Sequence, residues 1–125
     1  MEKTEKVAGT GANAEYYLKK IKELVEANGG TLLLVSAPSP DNWTYAKHNA
    51  IEKISEEYDL EFLDMNLMQD ELNIDWKTET KDGGNHLNFL GAKKVSSYLA
   101  KYLSEKYNLP DHREDSAYDN WKEDI

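Results

Sequence analysis

The sequence predicts a small α/β domain, and two apolar runs separated by a helical pattern carry that prediction. Residues 31–37 form a short continuous apolar run between glycines and a proline-rich turn. Such a run is typical of a strand that is buried on both faces inside a parallel sheet. Residues 60–65 alternate only partly and predict a second, more exposed strand. The two strands and the helix between them predict one βαβ unit with a right-handed crossover.

The helix before the first strand is predicted from its apolar period and its glycine stop. It begins near Asn13 and ends at the pair Gly29-Gly30. We expect it to pack on the domain through one stripe of five side chains: Tyr17, Leu18, Ile21, Leu24 and Val25.

Two further helices are predicted after the first strand. One covers residues 42–58 and has Asp41 available as its cap. His48 falls off the apolar stripe of this helix, so we expect it to lie in solvent. The other covers residues 89–107 and begins after Asn88, which suits an amino-terminal cap.

The domain is expected to cover residues 13–110. Residues 1–12 are charged and then rich in small side chains, which predicts a flexible segment. Residues 111–125 form an acidic tail. The run Gly9 to Ala14 matches the letters of a dinucleotide fingerprint, but no hydrophobic strand precedes it, so no cofactor is predicted.

Charge and composition exclude several classes of partner. The net charge of −9 opposes binding to nucleic acid or to anionic membranes, because phosphates repel acidic surfaces. No apolar run in the sequence is long enough to predict a membrane-spanning segment. The absence of cysteine excludes disulfides, cysteine-ligated zinc and a thiol nucleophile.

The segment Asp82-Gly-Gly-Asn-His86-Leu-Asn88 concentrates the catalytic chemistry of the chain. An aspartate close before a histidine can hold the imidazole by its Nδ1–H and stabilise the imidazolium that forms on protonation. The two glycines allow a tight loop that directs the ring outward. His86 and Asp82 are therefore the candidate catalytic residues.

The predicted sheet is incomplete. With two strands, the apolar run at residues 32–35 has at most one strand neighbour, whereas its composition favours a neighbour on both sides. Three explanations remain open: a minimal domain, an edge that pairs with another copy or partner, or the carboxyl-terminal part of a larger α/β domain.

Residues 16–107 resemble the last third to half of the SGNH (GDSL-like) hydrolase family. The specific match is His86-Leu87-Asn88 followed by Gly91-Ala92-Lys93. The resemblance implies a partial flavodoxin-like, SGNH-type three-layer sandwich whose amino-terminal strands are missing. It also implies a substrate that is an acyl ester or an acylated carbohydrate, with His86 as the base that deprotonates a serine and Asp82 as its orienting residue.

Two departures from the family pattern bear on activity. Three residues separate Asp82 from His86, where the family commonly has two. The Gly-Asp-Ser nucleophile block and the glycine and Gly-x-Asn-Asp oxyanion blocks do not occur in these 125 residues. Because these groups carry most of the acceleration in acyl transfer, we expect this chain to be inactive alone.

Three hypotheses about function follow. The chain is the carboxyl-terminal part of an SGNH-like ester hydrolase or carbohydrate O-acyltransferase. Alternatively, it is a non-catalytic interaction module that self-associates through an open sheet edge. The third hypothesis is an unrelated small α/β enzyme that uses Asp64, Asp82 and His86 for metal-assisted or acid/base chemistry.

Overall fold

A computed structural model of the chain describes the backbone of residues 1–124 and the side chains of residues 1–120. Ile125 and the side chains of residues 121–124, which belong to the predicted acidic tail, lie outside the described part. Two strands and four α-helices form the described chain, in the order α1 (Ala12–Ala27), β1 (Leu33–Ser36), α2 (Tyr45–Glu57), β2 (Glu61–Asp64), α3 (Gln69–Leu72) and α4 (Phe89–Tyr107). Short 3-10 segments occupy Met65–Leu67 and Ser116–Asp124.

The sheet is a parallel pair of strands joined through α2. Leu33 lies opposite Glu61, and Ser36 lies opposite Asp64. The predicted α/β class and its βαβ unit are confirmed by this pairing.

Helices pack on both faces of β2 because successive strand side chains point to opposite sides. On one face, the ring of His48 in α2 stacks on Phe62, with 5.7 Å between ring centroids. On the other face, Leu63 belongs to the buried core against which α4 packs. The core consists of Leu63, Met65, Leu72 and Ile74, with Leu33, Met68, Trp76, Leu87, Val95, Tyr98, Leu99 and Tyr102 partly buried around it.

The exposure of β1 differs from the expectation of burial on both faces. Val35 is 44% exposed, whereas Leu33 and Leu34 are half-buried. Within residues 1–124, β2 is the sole strand neighbour of β1. The prediction of burial on both faces was wrong for Val35 in the isolated chain, because a strand with one neighbour leaves part of its surface uncovered.

The apolar stripe of α1 was also predicted to pack on the domain, but only Leu18 and Val25 of its five residues are even partly buried. Tyr17, Ile21 and Leu24 are each at least half exposed, and no residue of α1 is buried. The helix ends in a backbone cap, in which the N–H of Gly30 donates to the carbonyl of Val25 in the last turn at 2.9 Å. The period correctly predicted the helix, but the described chain places no sheet surface under its stripe.

Helix α2 begins three residues later than predicted. Its cap is Thr44, whose hydroxyl accepts from the backbone N–H of Lys47 at 3.3 Å, and not Asp41. The amino-terminal segment, which was expected to be flexible, contacts this helix: the N–H of Ala8 donates to Ala46, and the Asn49 side chain donates to Thr4 and Lys6 carbonyls. Among the described helices, none has the length and apolar character needed to cross a membrane.

Candidate functional site

The segment that carries Asp82 and His86 is a closed loop on the amino-terminal side of α4. Thr80 and Leu87 form an antiparallel bridge, and the N–H of Lys81 donates to the carbonyl of His86 at 2.8 Å. The loop reverses through Gly83 and Gly84, whose φ angles of 80° and 148° favour glycine. The sequence therefore folds locally into a closed loop around the Asp82 carboxylate.

The Asp82 carboxylate makes three hydrogen bonds, two of them to His86 and one to Asn85. Oδ2 contacts His86 Nδ1 at 2.6 Å, and Oδ1 accepts from the backbone N–H groups of Asn85 and His86 at 3.0 and 2.8 Å. The extra residue between aspartate and histidine is accommodated by the glycine turn. The imidazole contact, followed by the backbone N–H of His86, lowers the pKa of Asp82 to about 2.

The second ring nitrogen of His86 is open to solvent. The side chain is 68% exposed, and Nε2 makes no hydrogen bond to any of the described residues. In the neutral tautomer that donates Nδ1–H to the carboxylate, Nε2 is the acceptor nitrogen. This arrangement suits a general base, since one nitrogen is held and the other can receive a proton.

Asn88 fastens the loop to α4, as predicted. Its Oδ1 accepts from the N–H groups of Leu90 and Gly91 at 2.9 and 3.3 Å, and its amide donates to the Thr78 carbonyl at 2.7 Å. The cap and the loop therefore share one residue, which ties the position of His86 to the start of a 19-residue helix.

The loop of His86 lies against the segment that follows β1. The hydroxyl of Ser39 contacts the Asn85 carbonyl at 3.5 Å, and the Asn42 amide donates to the side chain of Asn85. A Cβ on Gly84 would lie 3.1 Å from Oδ2 of Asp41. The candidate site is thus next to the carboxyl end of a parallel strand, where open α/β sheets bind ligands.

A second aspartate–histidine pair was missed at the sequence level. His48 is 6% exposed, and its Nδ1 contacts Oδ2 of Asp64 at 2.9 Å. Its ring lies against Tyr45 and Phe62. The prediction that His48 is solvated was wrong because an apolar stripe ignores polar residues that pair with buried carboxylates. One signal was available in the sequence: His48 precedes the apolar Ile51 by three residues, which places it beside the stripe.

The buried Asp64 joins the ends of both strands. The indole of Trp43 donates to Oδ2 at 2.9 Å, while the backbone and side chain of Asn66 donate to Oδ1 at 3.0 and 2.9 Å. Asn66 also donates to Ser36 Oγ at 3.0 Å and accepts from the N–H of Ser39 at 2.7 Å. This network holds the segment after β1 in place under the His86 loop.

The three residues of the metal or acid/base hypothesis are distributed over two separate pairs. Asp64 is bonded to His48, whereas Asp82 is bonded to His86. Within the part of the chain with described side chains, no group of three or more histidine, aspartate, glutamate or cysteine residues is arranged to hold a metal ion.

Comparisons of this chain with protein families, with curated proteins and with solved structures each gave no match.

Proposed function

We propose that this chain is the carboxyl-terminal part of an SGNH-like ester hydrolase or carbohydrate O-acyltransferase and contributes the base and its orienting carboxylate. The observation that carries the proposal is the Asp82–His86 pair, with Nδ1 held at 2.6 Å and Nε2 open to solvent. The nucleophilic serine and the oxyanion donors come from a polypeptide segment outside these 125 residues.

In this mechanism, Nε2 of His86 takes the hydroxyl proton of that serine as the serine oxygen bonds to the ester carbonyl carbon. The carboxylate of Asp82 stabilises the resulting imidazolium through Nδ1. His86 then gives the proton to the leaving alcohol, and an acyl-serine remains for attack by water or by an acceptor hydroxyl. Asp82 stays ionised throughout, in keeping with its pKa of about 2.

The proposed fold of the completed protein is a flavodoxin-like three-layer sandwich. Two features of the chain support it: α2 and α4 cover opposite faces of β2, and the His86 loop adjoins the carboxyl end of β1. A sheet covered on both faces is typical of parallel α/β domains.

The first experiment is hydrolysis of a chromogenic acetyl ester by this chain alone, with His86→Ala in parallel. We expect neither to turn over. Turnover by the wild type that is lost in His86→Ala would contradict a nucleophile outside the chain and would make Ser39, beside Asn85, the first candidate.

The decisive experiment uses the chain together with the polypeptide that carries the Gly-Asp-Ser block. His86→Ala should lower kcat by about 1,000-fold or more, because the serine loses its base. His112→Ala is the matched control, since His112 is also exposed and paired with an aspartate, at 3.3 Å from Asp115. Near-normal kcat in His86→Ala would refute the assignment.

The second candidate function is a non-catalytic module that self-associates through the sheet edge. The exposed Val35 on a strand with one neighbour favours it. In that case light scattering should show a wild-type oligomer that Val35→Lys converts to a monomer, and His86→Ala should leave the oligomer unchanged.

A further inference from the structure

Two residue pairs of the chain have the composition that closes most readily into a succinimide ring: Asn28-Gly29 and Asp82-Gly83. In each pair the side-chain carbonyl carbon precedes an amide nitrogen that has no Cβ beside it to hinder ring closure. Every other asparagine or aspartate is followed by a residue with a side chain. We propose that Asn28 deamidates spontaneously in the folded chain and that the fold protects the Asp82-Gly83 pair from the same ring closure.

The reaction at Asn28 consumes water and no other reactant. The backbone nitrogen of Gly29 bonds to Cγ of Asn28, the Cγ–Nδ2 bond breaks, and the amide proton of Gly29 leaves with the side-chain nitrogen as ammonia. One water then opens the ring. Opening at Cγ gives aspartate, and opening at the main-chain carbonyl carbon gives isoaspartate, whose backbone runs through Cβ and Cγ. Either product adds one negative charge to the net charge of −9.

The two glycines have similar immediate surroundings. Gly29 and Gly83 have φ angles of 74° and 80°. Apart from chain neighbours, no described atom lies within 4 Å of the position that a Cβ would occupy on either glycine. Steric access therefore does not distinguish the two pairs. The difference lies in how firmly the fold holds each side chain and each glycine N–H.

The Asn28-Gly29 pair is held by α1 alone. The side-chain amide of Asn28 donates to the carbonyl of Leu24 at 2.8 Å, and the N–H of Gly29 donates to the carbonyl of Glu26 at 3.0 Å. Both acceptors lie in the last turn of a helix that has no buried residue. Because opening of this turn uncovers no core, it costs little free energy, and it frees the side chain and the nitrogen to meet.

The Asp82-Gly83 pair is held by the closed loop and by a buried side chain. The carboxylate makes its three hydrogen bonds with Asn85 and His86, and the N–H of Gly83 donates to Oγ1 of Thr80 at 3.0 Å. Thr80 is 9% exposed. Ring closure would break these hydrogen bonds together. The ionised carboxylate, whose pKa is about 2, is also a poor electrophile.

Deamidation at Asn28 disrupts the end of α1. A carboxylate cannot donate to the carbonyl of Leu24 as the amide does, and it places a negative charge at the negative end of the helix dipole. In isoaspartate, the longer backbone also displaces the N–H of Gly30 from the carbonyl of Val25, which it bonds at 2.9 Å. We therefore expect the last turn of α1 to unwind while the His86 loop is unchanged.

The test follows both pairs in the full 125-residue chain at mildly alkaline pH, beside a sample unfolded in guanidinium chloride. Mass spectrometry of peptide digests measures deamidation, and enzymatic methylation measures isoaspartate. We expect the folded chain to deamidate at Asn28 within about ten-fold of the unfolded rate, because an uncovered helix end opens easily. Asn108 is the internal control: it is also an exposed helix cap, but Leu109 follows it, and it should stay intact.

Asp82→Asn compares the two sites with the same chemistry, because it places an asparagine–glycine pair in the loop. In the folded variant, position 82 should deamidate at least about ten-fold more slowly than Asn28, whereas the two should react equally in denaturant. Adding Thr80→Val removes the acceptor of the Gly83 N–H and should narrow the difference. Circular dichroism checks that each variant is folded.

Three results would overturn the proposal. The first is an Asn28 that stays intact in the folded chain while it reacts in denaturant. The second is a position 82 that reacts as fast as Asn28 in folded Asp82→Asn, and the third is deamidation of Asn108 at the rate of Asn28. None of these measurements depends on ester hydrolysis, so they are independent of the proposed function.

Discussion

Among the described residues, three aspartate–histidine pairs occur, and two of them combine a close contact with opposite surroundings. Asp82 and His86 meet at 2.6 Å inside one exposed loop, and His48 meets Asp64 at 2.9 Å between a helix and a strand. In the exposed pair one ring nitrogen remains open. In the buried pair the second nitrogen lies 3.5 Å from Glu52 and the carboxylate accepts four hydrogen bonds.

The difference teaches that the contact alone does not assign a role. At 6% exposure the His48 ring is out of reach of a substrate, so the buried pair serves the fold. The exposed pair adds little to packing, because its hydrogen bonds close within five residues of sequence. Because Nε2 of His86 is open to solvent, this pair is accessible to a substrate.

The largest effect is expected at the buried pair. Asp64→Ala removes the acceptor of Trp43, His48 and Asn66 and should lower the free energy of unfolding by about 3 kcal/mol, since buried donors lose their partner. Urea denaturation measures this. Asp82→Ala is the control and should lower the free energy of unfolding far less. Equal losses in the two variants would show that the buried and the exposed pair contribute equally to stability.

An intermediate effect is expected at Gly84. A Cβ there would lie 3.1 to 3.2 Å from the Asp41 carboxylate, and the φ of 148° disfavours any side chain. Gly84→Ala should therefore destabilise the chain by about 1–2 kcal/mol and shift the amide resonances of the loop at residues 82–86, while those of α4 beyond its first turn stay in place. Unchanged loop resonances would show that the His86 loop does not rest on the segment after β1.

The smallest effect is expected from acid titration of the exposed pair. The pKa of Asp82 is about 2 in the folded chain and about 4 in an unfolded one, so the folded state binds fewer protons between these values. Stability from this group is present above pH 4 and is lost as pH falls toward 2. The carboxyl carbon resonance of Asp82 should titrate near 2, and Asp82→Asn should lessen the acid sensitivity. A titration midpoint near pH 4 would show that the hydrogen bonds from His86 and Asn85 do not stabilise the ionised Asp82 carboxylate.

Local features of the site were predictable because they depend on neighbours in sequence. The Asp82–His86 loop, its glycine turn and the Asn88 cap lie within seven consecutive residues, and their hydrogen bonds follow from short spacings. The resemblance to SGNH hydrolases and the catalytic role of His86 stay predictions, which the kinetic variants test.

Features that depend on distant segments were predicted less well. The burial of His48 depends on Asp64, sixteen residues away, which the apolar period of α2 does not contain. The exposure of α1 and of Val35 depends on which strands are present beside β1, and periodicity shows only that a face is apolar.

Periodicity and turn residues were enough to establish the α/β class, the parallel βαβ unit and the loop that holds His86, because each arises from short-range backbone preferences and the burial of apolar stripes. Packing in three dimensions placed His48 in the interior and His86 in solvent, and left Val35 and most of the apolar stripe of α1 exposed. The physical reason is that burial is a property of pairs of surfaces, and a linear pattern describes only one surface of each pair.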